Sequence, residues 1–310
     1  MNRWIKIIGL TLLLVGGAVL CAIRWQAWFG MPAEPQWNDE VREYTFPAFE
    51  NDSTPASLDI LVLGDIHSRL TRHQYDSLAA HVPQADLVMQ VGDWMERGQE
   101  YYYQLLLREW MESNLFGLPV IAAPGNHEYS KGLCKTLSPV WDKAFARPDN
   151  GPKGVPGSSY YVDLPNMRCI VIDTNPLVRL THLTRTLTWL RALQKSAADR
   201  HVIVMMHHPV LSPAQGRFNP LIYATFRHAL GQADLVLAGH DHSYMRCAPF
   251  VVLNTSGKPK AQHFRFTPEV TDTVPVYGVL SIEASRPTLQ FNVYRLDDHT
   301  LIDSLYVKHH

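Results

Sequence analysis

Short apolar runs recur along this chain: Leu58 to Leu63, Leu87 to Val91, Val120 to Ala123, Cys169 to Ile172, Val202 to Met206 and Leu235 to Ala238. Runs of this length predict buried strands. Between several of them lie longer stretches with helical spacing, such as Tyr101 to Ser113 and Leu183 to Ala197. The alternation predicts an α/β domain with much parallel pairing. After Cys247 the pattern changes to strand-like segments without a long helix between them: Phe250 to Leu253, Val276 to Ile282, Thr288 to Tyr294 and Leu301 to Val307. A mainly antiparallel region completing a sheet is expected there. Arg147 to Gly157 is dense in turn formers and reads as an exposed loop, either bordering a substrate or an inert insertion.

The opening of the chain follows a different pattern. An uncharged, mostly apolar run from Ile7 to Ile23 lies between Lys6 and Arg24, with Trp4 before it and Trp25 and Trp28 after it. Its length is at the short end of a bilayer span, and snorkelling of the flanking cations extends it. Indole rings suit the two interfaces. A cleavable signal peptide lacks its small-residue cleavage site here, and a lipoprotein reading of Cys21 is opposed by Leu20, where a small residue is expected. The expectation is an uncleaved single-pass anchor. Arg3 and Lys6 precede the span, whereas Glu34, Asp39 and Glu40 follow it, which places the remainder of the chain outside the cytoplasm. Residues 1–30 are therefore read as a membrane anchor touching lipid. Residues 31–56, rich in Pro, acidic and aromatic residues, are read as a linker or a strap lying on the domain. The catalytic domain is expected over 57–310, with its core at 57–247 and the C-terminal strands at 248–310.

Composition narrows the function classes. With 46% hydrophobic and 18% charged residues in 310, the chain has ample material for a core, which excludes disorder. A net charge of −1 offers no field for nucleic acid, so none is expected as a partner. Four scattered cysteines without a CxxC pair argue against a thiolate zinc site or a disulfide scaffold.

Candidate chemistry lies where the apolar runs end. Five of the six runs finish on Gly64-Asp65-Ile66-His67, Gly92-Asp93, Gly125-Asn126-His127-Glu128, His207-His208-Pro209 and Gly239-His240-Asp241-His242. In an open α/β sheet the carboxyl ends of strands share one edge, where ligands bind. Asp65 with His67, and His240 with His242, are two apart, so in locally extended backbone both members of each pair point the same way. Taken alone, a His at a strand end is more often hydrogen-bonded structure than ligand, and Asp or Asn after Gly is usually a turn or cap. Joint occurrence in five clusters reverses those odds.

In order and composition these five clusters resemble the signature of the calcineurin-like metallophosphoesterase family. The stretch around Gly239 to Arg246 is similar to the branch related to purple acid phosphatases, except that Glu96 stands where that branch has a metal-binding Tyr. The resemblance implies an αββα sandwich of two mixed sheets flanked by helices, here preceded by the N-terminal transmembrane helix. It implies that Asp65, His67 and His242 hold one metal ion, that Asn126, His207 and His240 hold a second, and that Asp93 bridges them. His127 would then stand near the leaving group. His208 is expected to be structural, its side chain pointing away from that of His207, and Asp241 likewise. Glu128 and Asp173 are either partners that fix imidazole tautomers or turn residues.

A donor set of imidazoles, carboxylates and one amide suits two divalent or trivalent ions of Mn, Fe, Zn, Co or Ni. The expected activity is membrane-anchored hydrolysis of a phosphomonoester or phosphodiester by metal-activated water. His127 would either protonate the departing alkoxide or hydrogen-bond a phosphoryl oxygen. The expected partner is a phosphorylated small molecule or a lipid-linked substrate. Alternatives are hydrolysis of lipid-linked or pyrophosphate substrates, and a membrane-tethered binding protein with a vestigial site. Arg69, Arg97, Arg246 and Tyr244 lie close to the clusters in sequence; each either contacts substrate or makes a surface salt bridge. No GxxxxGK[ST] loop occurs.

Overall fold

A computed structural model describes residues 15–16, 44–49, 57–130, 136–164, 166–177, 179–214, 219–283 and 288–308. The expected membrane segment, and most of the expected linker, lie outside the described residues. Among the described residues no helix is long and apolar enough to cross a membrane.

Among the described residues thirteen strands and five helices follow one another from Ser57 onward. The first sheet is ordered β13-β12-β11-β1-β2-β3, with β1 (Ser57–Leu63), β2 (Ala85–Gln90), β3 (Val120–Ala122), β11 (Val276–Glu283), β12 (Thr288–Arg295) and β13 (Leu301–Lys308). β1, β2 and β3 run parallel, and β11 joins β1 antiparallel. The second sheet contains β4 (Tyr160–Leu164), β5 (Met167–Ile172), β6 (His201–Met206), β7 (Leu235–Ala238), β8 (Tyr244–Cys247), β9 (Phe250–Val252) and β10 (Val270–Asp272) in the order β10-β8-β9-β7-β6-β5-β4. Both sheets are mixed. β9, grouped by its sequence with the antiparallel strands, pairs antiparallel with β8 and also parallel with β7, so the C-terminal residues feed both sheets.

The sheets pack face to face because alternate residues of the apolar runs point inward. Ile60, Val62 and Met89 from one sheet share a core with Cys169, Ile203 and Leu237 from the other. The intervening residues Ile170, Val204 and Val236 face the opposite way. They pack with Leu183 and Leu190 of α4 (Leu180–Lys195) and Phe226 of α5 (Pro220–Leu230). Burial on both faces is why these runs are apolar throughout.

The other helices are α1 (Arg72–His81), α2 (Glu100–Met111) and α3 (Pro139–Ala144). α1 opens with a capping box in which Thr71 and Gln74 exchange side-chain and backbone hydrogen bonds. Trp94, Trp110 of α2 and Tyr75 of α1 interlock edge to face. Phe46, 1% exposed, stacks on Phe145 within the same aromatic layer. Residues 44–49 thus lie as a strap: Phe46 N–H donates to Ala144 O, and Pro47 O accepts from Val120.

The sandwich is also tied by polar groups. Asp303 of β13 accepts from Tyr244 Oη at 2.5 Å and Arg246 Nε at 2.6 Å, both on β8. Tyr244 and Arg246 are therefore committed to holding the sheets together.

Candidate metal centre

All five polar clusters follow carboxyl ends of strands, after β1, β2 and β3 of one sheet and β6 and β7 of the other. The loops are bonded to one another before any ion is considered. Ile66 and His67 N–H groups both donate to Asp93 O, at 3.0 and 2.9 Å, and Ser68 N–H donates to Trp94 O. Glycine is required at two approaches. A Cβ on Gly125 would lie 2.1 Å from Asp93 Oδ1, and one on Gly92, whose φ is +100°, would lie 2.5 Å from His207 Nδ1.

Two groups of side chains converge and share Asp93. Ligand atoms of Asp65, His67, Asp93 and His242 lie within 4.8 Å of one another, as do those of Asp93, His207 and His240. In the first group His67 Nε2 and His242 Nε2 are 3.1 Å apart. In the second, His207 Nε2 stands 3.2 Å from Asp93 Oδ2, Asn126 Oδ1 and His240 Nδ1 alike. Backbone carbonyls orient the rings from behind: His207 Nδ1 donates to Val91 O at 3.0 Å, and His242 Nδ1 donates to Lys258 O at 2.8 Å. Each bond leaves the other ring nitrogen aimed into the site, as metal-ligating imidazoles require.

The +2 spacing works differently from the extended backbone expected. His67, Asp93, His240 and His242 have φ values of 55°, 54°, 72° and 52°. Left-handed turns, not extended strands, aim these side chains. Asp65 and His67 share one group, while His240 and His242 separate into the two groups.

A cation fits this donor set. Asp65 Oδ2 is fully buried and has no hydrogen-bond partner, a costly arrangement for a carboxylate unless positive charge answers it. Around His207 Nε2, three acceptor-capable atoms exceed what one N–H can serve. The titration behaviour of the protein alone points the same way. Burial pushes Asp65 up to about 7, with Asp93 adding to the shift. Burial pushes His67 down to about 3, keeping its imidazole neutral. Burial opposes charge on His207, but Asp93 together with Asp65 and Glu128 outweighs it and raises the ring to about 9, so a protonated His207 balances the buried carboxylates. The pocket draws in positive charge.

Glu128 is the keystone of two loops: its carboxylate accepts from Asp93 and Gly125 N–H at 2.9 and 2.7 Å and from Met95 N–H at 3.0 Å. It fixes backbone and touches no imidazole tautomer. Asp173 accepts from Tyr129 Oη and from the N–H groups of Ser158 and Asn175. It too serves no imidazole. Asn175 then donates to Pro124 O and Gly125 O, bracing the Asn126 turn. Asp241 accepts from Ser212 Oγ at 2.6 Å. His208 does not point away from His207: their rings are 5.1 Å apart, and its ring lies 4.4 Å from that of His240, with Nδ1 at Thr174 Oγ1.

His127 Nδ1 faces Glu96 O, and its backbone N–H donates to Asp93 Oδ1 at 2.8 Å. Its Nε2, 4.0 Å from Asp93 Oδ2, is the nitrogen left free to exchange a proton. The ring is 23% exposed and lines a cavity of about 330 Å³ with His67, Asn126 and His242. Glu96 stands 3.8 Å from His67 Nδ1 and pairs with Arg69 at 2.8 Å. Arg97 lies over the Tyr102 ring. Sequence reasoning missed Lys258 and Lys260, which also line the cavity. They are remote from every cluster in sequence, and only the turn after β9 brings them in.

Residues 58–244 match the family model described as calcineurin-like phosphoesterase. A glycerophosphodiester phosphodiesterase, GpdQ of Enterobacter lignolyticus (strain SCF1), is 24% identical over 203 residues, covering 58% of this chain and 69% of that protein. Among solved structures, the purple acid phosphatase PPD1 of yellow lupin (Lupinus luteus) superposes with a TM-score of 0.60 at 12% identity over 83% of this chain. The chain spans 54% of that enzyme's length. GAP50, the anchor in the inner membrane complex of Plasmodium, superposes with a TM-score of 0.57 at 12% identity, covering 83% of this chain and 90% of that one. At these identities the two structural likenesses speak for the fold.

Proposed function

The chain belongs to the calcineurin-like phosphoesterase family and is a hydrolase of phosphoric ester bonds, and from that premise we propose that it uses two metal ions to hydrolyse a phosphomonoester or phosphodiester. Asp65, His67 and His242 would hold one ion, Asn126, His207 and His240 the other, with Asp93 between them. The observation that carries this reading is the pair of side-chain groups meeting at Asp93, one containing the partnerless carboxylate oxygen of Asp65. Similarity to a glycerophosphodiester phosphodiesterase supports a phosphodiester among the substrates.

When bound, such ions supply Lewis-acid polarisation of phosphoryl oxygens and acidification of water. The protein's own contribution is orientation and proton handling. Val91 O and Lys258 O fix the tautomers of His207 and His242. His127, its Nδ1 occupied by Glu96 O, would hold a proton at Nε2 and deliver it to the leaving oxygen, or hydrogen-bond a phosphoryl oxygen there. We further propose that the N-terminal run tethers the domain to the outer side of a membrane, a reading supported by the Lys6 to Arg24 pattern.

Metal analysis of the purified full chain, followed by assays on 4-nitrophenyl phosphate and bis(4-nitrophenyl) phosphate, tests the site. Two metals per chain with hydrolysis is the expected result. Two metals without hydrolysis of either ester would favour a binding protein, and fewer than two would remove the dinuclear reading. Membrane fractionation and protease protection of the full chain test the tether.

A further inference from the structure

The cavity beside the Asp65, His67 and His242 group is walled by cations that metal binding does not use. Arg69, Lys258 and Lys260 line it, and beside Asp93 the lining carries one carboxylate, Glu96. Glu96 answers Arg69 at 2.8 Å. Lys260 Nζ donates to His240 O at 2.7 Å. Lys258 is placed firmly by its backbone, since its carbonyl accepts from His242 Nδ1, yet its side chain is exposed. Among the described residues it has no carboxylate partner.

The segment bearing these lysines is held in place. Asn254 Nδ2 donates to Gly257 O at 2.9 Å and Asn254 Oδ1 accepts from Gly257 N–H at 2.8 Å. Ser256 N–H donates to Asp65 O at 2.8 Å, and Arg69 Nη1 reaches Ser256 O at 3.4 Å. An exposed ammonium carried on this held backbone, beside a site that itself gathers cations, is repelled by them until an anion sits between. The reacting phosphoryl group is already answered by the metal site. Lys258 therefore matches a further negative charge.

Resting on the phosphoesterase reading above, we infer that this wall selects phosphoesters whose non-reacting portion carries a second anionic group, a phosphate or a carboxylate, contacted by Lys258. A matched set of non-hydrolysable probes tests this by calorimetry on the metal-loaded full chain: propylphosphonate, propane-1,3-diylbisphosphonate and 4-phosphonobutanoate. The doubly charged probes should bind about ten-fold more tightly than propylphosphonate, the effect of one charge-assisted hydrogen bond. Lys258→Ala should abolish most of that ratio, and Lys258→Arg should restore it. Preference for the bisphosphonate or for the carboxylate identifies the second group. Equal affinities in the wild type, or a ratio untouched by Lys258→Ala, would overturn the inference. Turnover is read separately on propyl phosphate and propane-1,3-diyl bisphosphate. Equal kcat/KM for both esters overturns the selectivity and leaves the phosphoesterase reading intact. Hydrolysis of neither, with 4-nitrophenyl phosphate and bis(4-nitrophenyl) phosphate also left intact, overturns both.

Discussion

Replacing Glu128 by Gln changes one atom type at a position with 0% exposure and so isolates what a carboxylate does there. Oε2 accepts from Asp93 and Gly125 N–H, and Oε1 from Met95 N–H. Burial, with Asp93 adding to it, pushes this carboxyl up to about 8, yet three N–H donors give a protonated oxygen nothing to donate to. Glutamine meets the same difficulty. Whichever end takes its oxygen, its amide N–H₂ faces at least one backbone donor. One orphaned donor plus one donor-to-donor contact costs about 2 to 5 kcal/mol. For a chain of this size that lowers Tm by about 5 °C or more. Because Asp93 lies between the two side-chain groups, metal affinity should fall about ten-fold or more. Differential scanning fluorimetry and a metal titration read both quantities, with Glu96→Gln, at a half-buried rim position, as the comparison. A Tm within about 1 °C of wild type together with unchanged metal affinity would refute the argument.

His127→Ala should retain metal and lose about 100-fold or more in kcat, as expected for a proton donor; near-normal turnover removes the residue from that role. Gly125→Ala should lose metal, since the new Cβ would lie 2.1 Å from Asp93 Oδ1; full metal content at wild-type affinity would contradict it. Asp303 is held below the usual carboxylate range, where the Arg246 guanidinium and Tyr244 hydroxyl outweigh burial. Its folded pKa is depressed, so its stabilisation is present above about pH 4 and is lost as pH falls through the folded value. Asp303→Asn should therefore cost about 1 to 3 kcal/mol at pH 7 and progressively less in acid, read by urea denaturation at several pH values; a cost that does not change with pH would be inconsistent with an ionised partner.

Much of the sandwich was legible because its central strands are buried on both faces. β1, β6 and β7 lie within a residue of the apolar runs that announced them. Short strands of mixed polarity were missed, while β12 and β13, long enough to show alternation, were read. β4, reading Tyr-Tyr-Val-Asp-Leu, carries Asp163 and borders the sheet, so it gave no uninterrupted run. β8 was hidden because Tyr244 and Arg246 look like site residues, whereas their polar ends are spent on Asp303 across the sheets. α1 and α5 did carry signals, in the Thr71 to Gln74 capping box and in Asn219 before Pro220. Their apolar stripes are short, so periodicity alone did not raise them.

The candidate site divides along a similar line. Which residues converge was legible, since five polar clusters each end an apolar run. The family resemblance already parted His240 from His242, but the backbone that parts them was not legible. Alternation along an extended strand would send His240 and His242 to the same place, but left-handed turns at both send His240 toward His207 and His242 toward His67. Non-glycine residues pay about 1 to 3 kcal/mol each for such backbone, and sequence carries no direct mark of it. What sustains these turns is bonding between loops: Asp65 Oδ1 accepts from His240 N–H at 2.9 Å, and Asp93 O accepts from His67 N–H. Asp65 and Asp93 thus act twice, through ligand atoms aimed into the site and through oxygens that hold the next loop's backbone in a strained turn. Substituting either should disturb more than one coordinating atom, and the loss should exceed that from His242, whose Nδ1 bond to Lys258 O sustains no left-handed turn.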